Sequence, residues 1–128
     1  MKIIAIAILI GISTARGMEK WEALGMQESG NDDKAIGQAG EVSRYQILPS
    51  VWKEIVPWPM TMATNKTAAK IIANEIMIRR IWKFTTSHHR LPTNLEWALL
   101  WKTPNRVDHP SKEKLDQAKC VVNLINRK

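Results

Sequence analysis

A mainly helical domain, built round one long central helix, is the fold class the sequence predicts. Three observations carry that expectation. Ala68, Ile71, Ile72, Ile76, Met77 and Ile81 recur at heptad-like intervals over about 65–85, the period of an amphipathic helix. Thr93-Asn94-Leu95-Glu96 forms a capping box, in which the threonine oxygen takes the N–H of Glu96 and the carboxylate reaches back. The C-terminal stretch of about 111–125 places Leu115, Ala118, Val121, Val122 and Ile125 along one side before a basic tail.

At 128 residues the chain is one domain long. Residues 1–15 read as a secretory signal: Lys2 is the positive n-region, Ile3 to Ile12 the apolar h-region, and Ser13-Thr14-Ala15 the small-x-small cleavage site. The apolar run is shorter than the roughly 20 residues a bilayer span needs. An uncleaved N-terminal anchor is the competing reading; in either case 16–128 is expected to be exported, periplasmic or secreted. Contact with a membrane is expected only if the leader stays on.

The single cysteine, Cys120, leaves no internal disulfide and is either a small buried hydrophobe or an unpaired thiol. No pattern of metal-ligand spacing occurs, so neither metal nor cofactor is expected. Adjacent His88 and His89 follow the long helix and suit its negative end or solvent. The formal charge of +7 favours an anionic partner such as a cell-wall polymer, anionic lipid or polysaccharide. Scattered basic residues without a recognisable binding motif argue against nucleic acid.

After the leader, Glu19 to Gln27 forms a short helix with Met18, Trp21, Leu24 and Gly25 inward. Glu28 lies three, four and seven residues beyond Gly25, Leu24 and Trp21, so its carboxyl is expected on the buried side. Burial and the negative helix end both disfavour its ionised form, and Gly30 is available as a left-handed terminator. A carboxyl still protonated near neutral pH can donate to a leaving oxygen, as glycosidic cleavage requires. A helix-end glutamate turned out to water is the alternative.

From Ser29 to Ser43 the composition shifts to Gly, Asn, Asp, Gln and Ser, a loop with room at most for a small hairpin. Asp32, Asp33 and Glu41 lie in it. A second short helix starts at Pro49-Ser50 and carries Val51, Trp52 and Ile55, stopped by Pro57 and Pro59. Pro57 to Thr64 is an irregular connection. Lys70, Glu75, Arg79 and Lys83 are expected on the solvent side of the long helix, which should form the spine of the core. Leu95 and Trp97 to Trp101 make the next helix apolar nearly all round, hence deeply buried.

With these elements in order, the chain resembles the lysozyme-like superfamily, in its soluble lytic transglycosylase and goose-type lysozyme branch. The helix ending in Glu-Ser is matched by Glu28-Ser29-Gly30, and the Gly-Leu-Met-Gln-Ile-x-Pro stretch loosely by Ser43-Arg44-Tyr45-Gln46-Ile47-Leu48-Pro49. The Ala-x-x-Tyr-Asn-x-Gly run falls on Ala98-Leu99-Leu100-Trp101-Lys102-Thr103-Pro104. Ser43 and Tyr45 replace the family's Gly and Met, Trp101 its Tyr, and Lys102 its Asn. A tryptophan has no phenol hydroxyl with which to support the glutamate.

The resemblance implies an α+β lysozyme-like fold and cleavage between N-acetylmuramic acid and N-acetylglucosamine in peptidoglycan. Lysozyme is also the familiar case of a carboxyl tuned by burial to act as an acid. Glu28 would be the catalytic acid and then the base on the sugar's 6-hydroxyl, leaving a 1,6-anhydro end. Gln46 would hold the substrate by its amide, Ser29 and Ser43 would line the cleft, and Tyr45 and Trp101 would border the sugar or support Glu28. One alternative is hydrolysis, with Asp32, Asp33 or Glu41 activating water across roughly 6.5–9.5 Å. Another is a catalytically impaired module that binds wall glycan, motivated by Trp101 and Lys102.

Overall fold

The computed structural model describes residues 17–127; the expected leader, 1–15, lies outside them. Among the described residues the protein is mainly helical and has no β-strand. Five α-helices follow in order: α1 Lys20–Ser29, α2 Pro49–Ile55, α3 Lys66–His88, α4 Asn94–Lys102 and α5 Lys112–Ile125. A 3-10 turn, Met60–Thr64, occupies the end of the connection expected to be irregular. The 29–43 loop holds no full hairpin, only isolated antiparallel bridges from Val42 to Ile36 and to Ile47. No described helix is long and apolar enough to cross a membrane.

Each start has a local cause. Glu19 caps α1 by accepting the N–H groups of Trp21 and Glu22, Asn65 caps α3 through Ala68, and Ser111 caps α5 through Lys114. These oxygens satisfy donors that a helix leaves free in its first turn. Pro49 opens α2 because its fixed φ suits a first turn and it has no N–H to lose.

The capping box of α4 forms as expected: Thr93 Oγ1 accepts from the Glu96 N–H at 3.2 Å, and Glu96 accepts from the Thr93 N–H at 3.0 Å. Arg90 adds a two-pronged pair at 2.7 and 2.8 Å. Its guanidinium, chiefly, holds the Glu96 carboxyl down at about 2 against an ordinary 4.5. Stability from this carboxylate is therefore present above its unfolded value and lost as pH falls through about 2. Thr93→Ala should cost about 1 kcal/mol, and Glu96→Gln should flatten the fall in urea midpoint between pH 5 and pH 2.

The long helix, α3, carries more buried residues than any other helix and packs against α2, the 3-10 turn and α4. In α4 Trp97 to Trp101 are buried without interruption, and α4 packs against both α3 and α5 while α5 also meets α1. α3 contributes one buried face, from Ala68 and Ala69 through Ile72, Ala73, Ile76 and Met77 to Phe84. Ile71, expected on that face, is 53% exposed, as are Ile78 at 52% and Trp82 at 75%. The neighbours of α3 cover one side of it, so an apolar band wider than that side meets solvent.

An aromatic cluster joins the first and last thirds of the chain. The Trp21 ring meets Tyr45, Trp97 and Trp101 edge to face, with centroids 5.4, 5.1 and 5.7 Å apart, the arrangement that aromatic quadrupoles favour. Trp101 Nε1 also donates to the Tyr45 carbonyl at 3.1 Å. The loop after α1 is thereby fastened to α4. On α5, Ala118 and Val121 are buried, whereas Cys120 is exposed as a free thiol, which decides between its two readings.

Candidate functional site

α1 ends where the sequence indicates. Gly30 takes a left-handed conformation with φ of 68°, unstrained only without a side chain, and donates to Met26 O at 2.9 Å; the next N–H, of Asn31, reaches Gly25 O at 3.0 Å. Glu28 thus sits in the last turn, above Trp21, Leu24 and Gly25, which are buried. Its side chain is 11% exposed. The alternative of a carboxylate turned freely to water is not what the structure contains.

The partner of Glu28 comes from the far end of the chain. Lys102, at the C-terminus of α4 and itself 8% exposed, donates its ammonium hydrogen bond to Glu28 Oε1. Burial is the largest influence on the carboxyl and raises its pKa; the Lys102 charge and hydrogen bond pull it back, Lys114 adds a small pull, and Glu41 pushes it up. The balance lies above the ordinary carboxylate value. Glu28 is consequently a protonatable group held in place by a cation, with a second carboxylate in its field.

Of the three loop carboxylates, Glu41 is the one whose field reaches Glu28. Asp33 is committed to Arg44, whose Nε and Nη2 donate to it at 2.7 and 3.0 Å, and this holds its carboxyl below the usual range. Asp32 is exposed and accepts the Lys34 N–H at 2.9 Å. A Cβ at Gly37 would lie 2.5 Å from Gln46 Oε1 and 2.7 Å from Glu41 Oε2. The missing side chain lets those two polar groups converge.

The other residues singled out in the sequence fall into different places. Ser29 Oγ donates to Arg44 O at 2.8 Å and accepts the Asp32 N–H at 3.1 Å, so it ties the loop to the end of α1. Gln46, at φ of 55°, donates both hydrogens of its amide to Ala35 O and Ser43 O, which leaves its oxygen free to accept. Ser43, at 1% exposure, lies in the core rather than along a surface that a sugar could reach, and its hydroxyl accepts the Tyr45 N–H. Tyr45 and Trp101, exposed by 3% and 9%, belong to the core cluster around Trp21, and the Trp101 N–H is spent on the Tyr45 carbonyl.

The sequence marks Lys102 only as a departure from the family pattern, and not as part of the site. The available signal is a lone cation closing a helix that is otherwise apolar all round, where a charged end must find a counter-charge. Arg80 carries no such mark in the sequence. Its Nη1 donates to Leu100 O at 3.0 Å and Trp101 O at 3.1 Å, satisfying the carbonyls at the end of α4 while its guanidinium lies 5.5 Å from the Trp101 ring centroid.

A recess of about 60 Å³ lies between Gln46, Leu48, Ile76, Arg80 and Trp101. A cavity of about 750 Å³ opens between the second half of α3 and the 104–109 loop and does not include Glu28. Among the described residues no group of acids, histidines and cysteine could hold a metal ion. The fold and site together define a small helical protein with one buried, cation-held carboxyl at a helix end. No known protein family, curated protein or solved structure matches the chain.

Proposed function

We propose that this chain is an exported peptidoglycan lytic transglycosylase with a lysozyme-like fold, cleaving the bond between N-acetylmuramic acid and N-acetylglucosamine. The observation that carries the proposal is Glu28, a carboxyl whose burial raises its pKa at the end of a helix terminated by Gly30. Protonated, it gives its proton to the glycosidic oxygen as the bond from that oxygen to C1 breaks. Ionised, it takes the proton from the 6-hydroxyl as O6 bonds to C1, so the 1,6-anhydro end forms without water and the acid is restored. Lys102 stabilises the carboxylate between the two steps, and the free Gln46 oxygen can accept from a sugar hydroxyl or amide.

The Glu28–Lys102 pair also favours a second reading, a glycan-binding module in which the pair is structural and no bond is cut. A hydrolase would use Glu41 as its second carboxylate. Mass spectrometry of soluble products from purified peptidoglycan separates the three. Expected are 1,6-anhydro ends; hydrated reducing ends would transfer the assignment to hydrolysis, and a folded protein that pulls down the polymer without releasing fragments would establish the module.

A further inference from the structure

The cavity away from Glu28 is lined by cations. Arg79, Arg80, Lys83 and Arg106 line it together with His88 and His109. Asp108 is its one carboxylate, and it is taken by His88, whose Nε2 lies 3.0 Å from Oδ1 while Nδ1 lies 3.0 Å from the Phe84 carbonyl. Arg79 pairs with Glu75 at 3.1 Å. Among the described residues Arg80, Lys83 and Arg106 have no ion-pair partner. For Arg80 this matters most, because it is largely withdrawn from water and burial lowers its pKa. An arriving anion would compensate a cation that the fold leaves without one.

The remaining lining is apolar at Phe84, Leu100, Pro104 and Val107 and neutral polar at Ser87 and Asn105. A phosphate polymer is best met by a continuous track of cations; cations alternating with aliphatic and aromatic surface suit a short peptide whose carboxylates are separated by small apolar groups. Position points the same way. Arg80 lines both this cavity and the recess beneath Gln46, and it grips the last turn of α4, whose next residue, Lys102, holds Glu28.

We propose that this cavity binds the carboxylate-bearing stem peptide of the wall glycan, anchoring one strand by its peptide while Glu28 faces the sugar backbone. The proposal rests on the glycan reading given above. In a stem peptide the α-carboxylate of a γ-linked glutamate and the terminal carboxylate would meet the Arg80 and Arg106 forks, the Lys83 ammonium would supply a movable third contact, and the alanine methyl would lie against Phe84 and Val107.

The test uses the full chain and the free peptide N-acetyl-alanyl-γ-glutamyl-diaminopimelate, followed by amide shifts in NMR titration, with inorganic phosphate as the competing probe. Lys83 and Arg106 are exposed, so Lys83→Glu and Arg106→Glu should fold normally, which circular dichroism checks. Expected are saturable shifts confined to 79–88 and 100–109, at least tenfold weaker binding in each reversal, and weakening with added salt. No saturable peptide binding, binding unchanged by both reversals, or phosphate binding as tightly as the peptide would each overturn the proposal. Cleavage of intact peptidoglycan is scored separately: a chain that binds the peptide but cuts no glycan keeps the cavity's assignment and loses that of Glu28.

Discussion

Glu28→Gln should reduce release of soluble fragments from peptidoglycan by about 10²–10⁴-fold, the range by which a positioned acid–base group accelerates proton transfer. The amide keeps the shape of the side chain and still accepts the Lys102 hydrogen bond, but it has no proton to give. Stability should fall moderately, by about 1–3 kcal/mol, because a buried ammonium exchanges a charged acceptor for a neutral one. The double variant Glu28→Gln/Lys102→Met should recover part of that loss by removing the stranded cation. Wild-type activity in folded Glu28→Gln would show that the carboxyl has no part in bond cleavage, and urea melts of the two variants would then measure a purely structural pair.

Lys102→Asn, which places the family's residue at this position, should move the alkaline limb of kcat/KM upward by about one pH unit or more. The sign follows from the charges: the ammonium favours ionised Glu28, so its removal leaves burial and the Glu41 field to raise the pKa further. A greater fraction of the acid is then protonated at neutral pH, and each unit corresponds to about 1.4 kcal/mol. The same substitution should lower stability by about 3–5 kcal/mol where Glu28 is ionised, the usual cost of stranding one member of a buried pair.

That penalty should shrink in acid. A carboxyl whose folded pKa is raised binds its proton more tightly in the native state, so its favourable contribution is complete below the unfolded value and is lost as pH rises through the folded one. Urea midpoints of wild type and Lys102→Asn should accordingly converge toward pH 4 and diverge toward pH 8. A pH–rate profile identical in the two proteins would place the acid limb on another group.

The location of Glu28 was legible in the sequence because it depends on neighbours within one helix. The spacing from Trp21, Leu24 and Gly25, together with Gly30 as terminator, is enough to put the carboxyl on the inner side of α1. The capping box at Thr93 and the helix starts at Pro49, Asn65 and Ser111 belong to the same class. In each case the interacting groups lie within a few residues, and the chain's local geometry leaves few alternatives.

Which groups meet Glu28 depended on packing between distant parts of the chain. Lys102 is 74 residues from its partner, and nothing in the spacing of either segment says that the ends of α1 and α4 converge. For the same reason Tyr45 and Trp101, readable as aromatic faces for a sugar, became core when the Trp21 cluster closed over them. Ile71 moved the other way, since a periodic apolar band states which residues could be buried but not how many neighbours will be present to bury them. A mainly helical domain and a carboxyl on the inner side of α1 follow from contacts one or two turns apart and are therefore written in the order of the residues. The cation that holds that carboxyl and the basic cavity between α3 and the 104–109 loop are made by side chains that come together after the helices pack, so neither can be read from spacing along the chain.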